Sequence, residues 1–403
     1  MGAKSLRADA EAIWRAGVEA VEPKRLLAER VSVDGGWLAF SDLHVRLRDI
    51  DRVVVVGGGK AGVPMTQGFE SAVGVSLLRE KRIDGLVSVP ADCLPERCDL
   101  PKTIQLTAGR PAGVNEPRNE GVAAARKMLR LVGGLTDRDL CVCLISGGGS
   151  ALLPAPIDGI TLDQKVAVTR LLSGAGATID QLNAVRKRLS RIKGGGLARA
   201  AAPARVVSLI ISDVLGDPLD VIASGPTVDN AQSIADALHV FDELGVVDHP
   251  DATPAIKLLR SLQGSTARER PLDPSRVHNL VMANNATAVD AAGIEAERRG
   301  YNHAMQCATA SEGAAEEVGR SLAAMARGMH GDPNPAGPDC LITGGEPTVR
   351  LAEPAVRGRG GRNQQLVLAA SEQLADCRGI ALLSGGTDGE DGPTDAAGAV
   401  IDA

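Results

Sequence analysis

Aromatic side chains are almost missing from this chain of 403 residues, which contains two Trp, one Tyr and three Phe. A protein that binds single-stranded nucleic acid needs aromatic side chains on which bases can stack, and any nucleic-acid binder needs a basic surface. The formal net charge of −6 is of the wrong sign for such a surface. We therefore expect small-molecule ligands and no nucleic-acid partner.

Apolar runs long enough to cross a membrane are also missing, which argues against a membrane partner. The N-terminal segment 1–30 is charged and amphipathic, without the apolar core of a secretory signal. The seven cysteines stand at irregular spacings, and no CxxC pair indicates structural zinc. By default these absences predict a cytoplasmic protein, either a monomer or a homodimer.

What the sequence does contain is a repeated local pattern. Four apolar runs end in a glycine turn, and a polar or charged residue follows at once, at 57–60, 146–150, 343–346 and 384–392. Buried strands that end in glycine place backbone N–H groups at the carboxyl edge of a sheet. That edge is where open α/β folds bind ligands, and exposed N–H groups favour anionic ones.

Apolar strand-like runs alternate with helical patterns along the chain, which predicts an α/β protein. We expect a mostly parallel, three-layer α/β/α sheet. The stretch 245–274 is rich in proline, aspartate and charge, and we interpret it as a domain junction. The predicted domains are 1–270 and 271–403, the second opening with a strand at 277–283.

The first glycine turn, 57–62, matches G-x-G-x-x-G after a strand and before a helix. The acid that should bind a dinucleotide ribose does not follow the second strand, because Glu80 and Asp84 precede that strand. The turn is not a P-loop either, since Ala61 stands where the Mg²⁺-binding hydroxyl should be. What remains is Lys60 at a helix N-terminus, a place suited to a phosphate. The alternative is a surface lysine.

The second turn resembles a nucleophile elbow, but no serine in it has glycines on both sides and no histidine is an evident partner. We interpret it as an anion-binding nest; a purely structural tight turn is the alternative. The predicted nucleotide-binding residues of the two turns are Gly58, Gly59, Ser146, Gly147, Gly148, Gly149 and Ser150.

A pair of acids follows the predicted buried strand at 205–211. Asp213 stands where a carboxylate would bind Mg²⁺ or take up a hydroxyl proton, and Asp217 begins a turn close behind it. We assign Asp217 to nucleotide binding and Ser224, farther along the same segment, to substrate binding. The alternative is that both acids only cap the loop.

Two further segments carry charge. Arg and Lys residues cluster at 186–193, which predicts either a solvated helix face or a surface that attracts a polyanion. Arg359 and Arg362 stand among glycines before a helix, where they could clamp a carboxylate or phosphate. A solvated turn is the alternative. The acidic loop that contains Asp388 is either a partner for a cation or a plain exposed loop.

Seven strings occur together and in one order: GGGKAG, SGGGSALLPAP, NAVRKRLSRIKGGGLA, ISDVLGDPLDVIASGPT, GGEPTV, GRGGRNQQ and SGGTDGEDGPTDAAGAV. With them the chain resembles the glycerate 2-kinase family, from about residue 8 to its end. Members of that family are often labelled hydroxypyruvate reductases, and their C-terminal part is called the MOFRL domain.

The resemblance implies transfer of the γ-phosphoryl group of ATP to the 2-hydroxyl of D-glycerate, giving 2-phosphoglycerate and ADP, with a divalent metal. It also implies a large Rossmann-like domain, a smaller mixed α/β domain of MOFRL type, and an active site in the cleft between them. Lys60 and Arg362 match the catalytic lysine and arginine of the family. Because members usually continue for some tens of residues beyond this endpoint, we expect that a C-terminal tail is lacking.

For phosphoryl transfer we expect Asp213 to be a third catalytic residue and the protein ligand of Mg²⁺. Arg359, Glu346 and Asp388 join Ser224 as predicted substrate-binding residues. Two alternative functions stay open at this point. One is an NAD(P)H-dependent hydroxypyruvate reductase, and the other is a non-catalytic sensor of a phosphorylated sugar acid.

Overall fold

The computed structural model describes residues 5–96, 99–263, 270–310, 312–331, 334, 336–353 and 355–402. Contacts divide the chain into two units. The large unit is Pro23–Met282, and the small unit combines Met1–Glu22 with Ala283–Ala403. The division into domains at residues 270 and 271 stays a prediction.

Both units contain α-helices. None of the helices in the described residues has the length and apolar character needed to cross a bilayer. The helices are α1 (Leu6–Ala20), α2 (Pro23–Arg30), α3 (Gly62–Glu80), α4 (Asn119–Val132), α5 (Gly149–Leu152), α6 (Leu162–Gly174), α7 (Ile179–Arg188), α8 (Gly196–Ala201), α9 (Ile234–Glu243), α10 (Thr253–Gln263), α11 (Asn285–Arg298), α12 (Ala315–Gly331) and α13 (Arg362–Leu374).

The strands are short and mostly apolar. They are β1 (Val31–Asp34), β2 (Trp37–Phe40), β3 (Leu43–Arg46), β4 (Arg52–Gly58), β5 (Asp84–Pro90), β6 (Ile104–Arg110), β7 (Asp139–Ile145), β8 (Arg205–Ile211), β9 (Val277–Ala283), β10 (His303–Cys307), β11 (Cys340–Gly344), β12 (Ala381–Gly385) and β13 (Gly398–Asp402).

A six-stranded sheet with the order β6-β5-β4-β7-β8-β9 forms the centre of the large unit. Strands β6, β5, β4, β7 and β8 pair in parallel, which confirms the predicted mostly parallel α/β architecture. Strand β4 lies in the interior, and its run of four valines is fully buried. Continuous β-branched runs are typical of strands covered on both faces. The parallel direction brings the carboxyl ends of β4, β6, β7 and β8 to one edge.

One face of this sheet packs against helices α4 and α8. Cys141 and Cys143 lie in that core, both fully buried, together with Met128 of α4 and Leu197 of α8. Residues two apart on a strand share a face. The two cysteines are therefore small core residues.

Strand β9 corrects one expectation, because it is the edge strand of the large sheet rather than the first strand of a second unit. The backbone N–H of Val206 donates to the carbonyl of Arg276 (2.8 Å), and the side chain of Asn279 bonds to Thr227 (2.6 Å). The proline-rich stretch before it is not wholly a linker, because α10 begins at Thr253. Proline is tolerated in the first turn of a helix, where Pro254 stands.

A separate helical cluster contains α6, α7, α9 and α10 around a core that includes Phe241 and Leu259. A lysine is buried close to this cluster: Lys165 of α6 is 6% exposed and donates from Nζ to the Leu189 carbonyl (3.0 Å). Burial, with a smaller contribution from the charge of Arg186, lowers the pKa of Lys165 to about 7. A buried ammonium disfavours its charged form in this way.

The small unit contains a parallel pair, β10 with β11, and an antiparallel pair, β12 with β13. Its helices α12 and α13 pack together, and so do α1 and α11. Helix α1 is fixed by polar contacts as well: Trp14 donates to the Gly385 carbonyl (3.1 Å), and Asp9 accepts from Tyr301 (2.8 Å). Helix α1 is thus part of the same unit as the C-terminal residues of the chain.

The depressed pKa of Lys165 predicts a pH dependence of stability. Between pH 7 and 10.5 the unfolded chain keeps this proton while the folded chain has lost it. The unfolded state binds more protons there, so this lysine makes the free energy of unfolding rise with pH, by at most about 1.4 kcal/mol per pH unit. The free energy of unfolding of wild type and of Lys165→Met is measured by urea denaturation at pH 7 and pH 9. Relative to the variant, wild type is expected to be more stable at pH 9 than at pH 7.

The matched control is Lys257→Met, because Lys257 is exposed on the neighbouring helix α10. Its stability difference from wild type is expected to be the same at both pH values. If the free energy of unfolding changed equally with pH in wild type and in Lys165→Met, the pKa of Lys165 would not be depressed.

Candidate active site

The first two glycine turns lie side by side because they follow β4 and β7, which are neighbours in the sheet. The backbone N–H of Lys60 donates to the carbonyl of Gly147 (2.9 Å), and that of Ala61 donates to Ser146 Oγ (3.1 Å). A Cβ atom at position 59 would lie 2.0 Å from Ser146 Oγ, so only glycine fits there. The two turns therefore form one hydrogen-bonded structure.

This arrangement changes what the first turn can offer a ligand. The N–H of Gly59 donates to the Ser88 carbonyl (3.2 Å), and that of Lys60 is used by Gly147. Neither group is available to an anion, contrary to the expectation of exposed N–H groups at this turn. What the turn still offers is the side chain of Lys60, which lies beside Gly148.

The second turn differs in this respect. Within the described chain, the N–H groups of Gly147 and Gly148 donate to no backbone carbonyl. Gly148 has a left-handed backbone, with φ of 75°. Successive N–H groups beside a left-handed residue form the concave nests that bind anions. The nest stays a prediction, with the N–H groups of Gly147 and Gly148 as candidate donors.

Charged side chains surround the second turn. A Cβ atom on Gly147 would lie 2.1 Å from Asp213 Oδ2. One on Gly148 would lie 3.6 Å from both Lys60 Cγ and Arg110 Nη2. The structure therefore brings Lys60 and Asp213 to the same turn, as the sequence led us to expect, and adds Arg110.

Asp213 and Asp217 lie on the loop that follows β8. Ser212 Oγ accepts the N–H of Val214 (3.3 Å) and so turns the chain just after the strand, leaving Asp213 exposed. Asp217 has a left-handed backbone, with φ of 52°. Within the described residues, no group of three or more His, Cys, Asp or Glu has the spacing of a metal site.

The basic run at 186–193 is not a solvated face, because Lys187 and Lys193 are only 4% and 3% exposed. Lys193 donates from Nζ to Ser150 Oγ (2.6 Å), to the Ser150 carbonyl (2.9 Å) and to Ser224 Oγ (3.2 Å). Arg186 also donates to Ser150 Oγ. Burial lowers the pKa of Lys193 well below its usual range, and nearby cationic side chains add to this shift.

Ser224 lies inside this network rather than at a surface. It is 1% exposed and has a left-handed backbone, with φ of 63°. Its hydroxyl donates to Asn183 Oδ1 (3.1 Å) and lies 3.1 Å from Ser150 Oγ. Ser224 is thus hydrogen-bonded within the protein beside Ser150, and its predicted role in substrate binding stays a prediction.

In the small unit, Arg362 is the first residue of α13, and its Nη1 donates to Glu346 Oε1 (2.7 Å). The structure thus joins two of the residues predicted to bind substrate or to act in catalysis. Arg359 and Asp388 are exposed on their glycine loops.

Asp391 is a residue of the small unit that the sequence analysis did not single out. It is 1% exposed, and its carboxylate accepts the backbone N–H groups of Asn363 (3.0 Å) and Gln364 (2.8 Å) at the start of α13. A carboxylate there satisfies helix donors and interacts favourably with the helix dipole. Asp391 therefore fixes the first turn of α13, where Arg362 lies.

Arg110 was also missed, although a signal was present. Strand β6 ends in Gly109-Arg110, which repeats the pattern of an apolar run followed by glycine and a charged residue. The run before Gly109 is less apolar than the runs before the other turns. The pattern was therefore not recognised in the sequence.

Comparison with known proteins assigns the chain to a family. Residues 9–257 match a family described as a domain of unknown function (DUF4147), and residues 339–403 match the MOFRL family. Glycerate kinase of Mus musculus is 38% identical over 98% of this chain and 83% of its own length. D-glycerate 2-kinase of Thermotoga maritima is 34% identical over 99% of this chain and 87% of its own length.

Solved structures agree with this assignment. A crystal structure of glycerate kinase from Thermotoga maritima is 33% identical, with a TM-score of 0.79 over 98% of this chain and 87% of that one. A protein from Pyrococcus horikoshii has a TM-score of 0.80 at 30% identity, over 100% and 88% of the two chains. From its sequence relatives, its MOFRL segment and its fold, the chain belongs to the glycerate kinase family.

Proposed function

We propose that this protein transfers the γ-phosphoryl group of ATP to the 2-hydroxyl of D-glycerate, giving 2-phosphoglycerate and ADP. The proposal rests on its family, and one observation carries the chemistry. Lys60 and Asp213 flank a glycine turn whose N–H groups at Gly147 and Gly148 make no backbone hydrogen bond in the described chain. Phosphoryl transfer needs positioning and charge neutralisation, which such a turn supplies.

Each group then has a part. The nest at Gly147 and Gly148, with Lys60, holds nucleotide phosphates. Asp213 accepts the proton of the attacking hydroxyl. A carboxylate can do this because the reaction needs only weak base assistance. Ser150 is positioned by the buried amino group of Lys193. Asp217, on the loop that also carries Asp213, is proposed to bind the nucleotide.

Mg²⁺ is the metal that the family implies, and the residues here fit it in one way. Mg²⁺ in kinases is held by one or two carboxylates together with substrate phosphates rather than by a cage of protein ligands. The lack of a three-residue cluster among the described residues is compatible with that mode. Asp213 would hold the ion, which when bound neutralises phosphate charge.

Arg362 is proposed to act in the same reaction, by stabilising charge on the transferring group or by binding the glycerate carboxylate. Its bond to Glu346 and the hold of Asp391 on α13 define the position of its guanidinium within the small unit. Arg359 and Asp388 are proposed to bind substrate from the neighbouring loops.

A dinucleotide-dependent reductase is not favoured, although a protein of Agrobacterium vitis that is 38% identical carries a hydroxypyruvate reductase name. In the G-x-G-x-x-G turn, the N–H groups of Gly59 and Lys60 already donate to backbone carbonyls. They cannot also bind a pyrophosphate.

We propose a cytoplasmic location and a monomer or homodimer as the working state. The six cysteines of the described residues are free, which fits a reducing compartment.

Product analysis tests the function. Incubation with ATP, Mg²⁺ and D-glycerate is expected to give 2-phosphoglycerate, identified by phosphorus and carbon NMR, while NADH with hydroxypyruvate is expected to show no change in absorbance. A 3-phosphoglycerate product would overturn the proposed position of attack. Binding of 2-phosphoglycerate without ATP turnover would favour a sensor instead.

Lys60 is expected to act mainly in the transition state. Lys60→Ala should lower kcat/KM by about 10²- to 10³-fold, the usual loss when one preorganised donor is removed. Lys257→Ala, which changes an exposed lysine of the same unit, is the control and should leave kcat/KM unchanged. A Lys60→Ala enzyme with near wild-type kcat/KM would remove Lys60 from the mechanism.

The two loop arginines can be separated by substitution. Arg362→Ala is expected to lose at least about 10²-fold in kcat/KM. Arg359→Ala, a matched change on the same glycine loop, is expected to lose less than tenfold, mainly through KM for glycerate. If Arg359→Ala lost more kcat/KM than Arg362→Ala in steady-state kinetics, Arg359 rather than Arg362 would be the catalytic residue.

A further inference from the structure

Arg110 is a buried cation at the carboxyl end of β6. The residue is only 6% exposed, yet its Nε has no hydrogen-bond partner among the described residues. Its Nη1 donates to the Val114 carbonyl, and no described carboxylate forms an ion pair with it. Burying a charged group without full hydrogen bonding is costly, and native proteins avoid it unless a partner arrives.

The guanidinium lies beside the anion-binding turn. Arg110 Nη2 and Lys60 Cγ each lie 3.6 Å from the place that a Cβ atom on Gly148 would occupy. Gly148 has the left-handed backbone of an anion nest and lacks a side chain that would fill this space. The guanidinium of Arg110 and the side chain of Lys60 therefore both lie beside one open glycine.

The neighbouring buried basic side chains differ from Arg110. Lys193 spends its donors on Ser150 and Ser224, and Lys187 forms an ion pair with Asp220 (3.0 Å). Those two lysines have their partners within the protein. Arg110 retains an unused donor.

We propose that Arg110 is a further binding residue of the phosphoryl-transfer site and donates N–H groups to an anionic oxygen group of a reactant held at Gly147 and Gly148. This inference rests on the proposed function and adds a residue to it. The planar fork of a guanidinium suits a carboxylate and a phosphate equally. The group is therefore either the carboxylate of D-glycerate or a phosphate of ATP.

Steady-state kinetics of Arg110→Gln distinguishes the two sources. The KM of one reactant is expected to rise by about 10- to 100-fold, as for a lost charge-assisted hydrogen bond, while the KM of the other stays within about twofold. A raised KM for glycerate assigns the carboxylate, and a raised KM for ATP assigns the phosphate. Arg110→Lys keeps the charge but not the fork, and should recover only part of the loss.

Arg52→Gln is the matched control. Arg52 is a half-buried arginine at the start of β4, at the opposite edge of the same sheet, where it bonds to Asp84 (3.1 Å). Both KM values are expected to stay at wild-type level in this variant. A rise in either KM would show that loss of any arginine from this sheet disturbs the site.

A structural role predicts a different pattern. If Arg110 only secured the turn through Val114, Arg110→Gln would lower the thermal unfolding midpoint and leave both KM values unchanged, and the proposal would fall. We expect instead an unfolding midpoint at or above that of wild type, because an incompletely paired buried charge is removed.

Direct binding keeps this test separate from the test of the reaction. D-glycerate and inorganic phosphate, each alone, are titrated into wild type and Arg110→Gln by calorimetry. Weaker binding of one of them to the variant supports the role of Arg110 even if wild type shows no glycerate kinase activity. Equal affinities of both proteins for both probes overturn it.

Discussion

Hydrogen bonds between two adjacent glycine turns hold the candidate site in place. Lys60 donates its backbone N–H to Gly147, and Ala61 donates to the hydroxyl of Ser146. The turns can meet because they follow neighbouring parallel strands and because position 59 has no side chain. Sites built on rigid elements hold their groups more accurately than sites on free loops. The position of Lys60 beside the second turn depends on this connection.

The electrostatic character of the site follows from burial. Cationic groups of β6, α7 and the segment after it approach the second turn from inside the protein, whereas Asp213 is exposed. Lys193 shows the result, since burial and its cationic neighbours hold its pKa well below the usual range. Groups that are fixed in this way do not have to rearrange when a phosphoryl group is transferred, which is what the proposed reaction needs.

The parallel sheet and the glycine turns could be predicted from sequence because both are local patterns. A run such as 53–56 indicates a strand covered on both faces, and the glycines after it indicate a turn at the sheet edge. Membership in a sheet is not local. Strand β9 was therefore expected to open the second domain, although it is the edge strand of the large sheet. The helix within the proline-rich stretch was missed because Pro254 stands in a first turn.

Burial of charge was the hardest property to predict. The run at 186–193 resembles a solvated face, since charge usually marks the surface, and only the tertiary neighbours Ser150 and Ser224 show that Lys193 is internal. The end of β6 was predictable in principle from Gly109-Arg110. The hold of Asp391 on α13 was not, because the capping carboxylate lies 28 residues beyond the amide of Asn363.

The two-part composition of the small unit has a consequence for how the protein is made. Its first helix is synthesised before the large unit, but the residues it packs against, such as Tyr301 and Gly385, follow that unit in the sequence. The large unit is one continuous segment, and continuous segments can fold as they emerge from the ribosome. Helix α1 therefore has no partner from the small unit until the segment after Met282 is synthesised. During that interval the nascent chain presents a surface for chaperones, and also for aggregation.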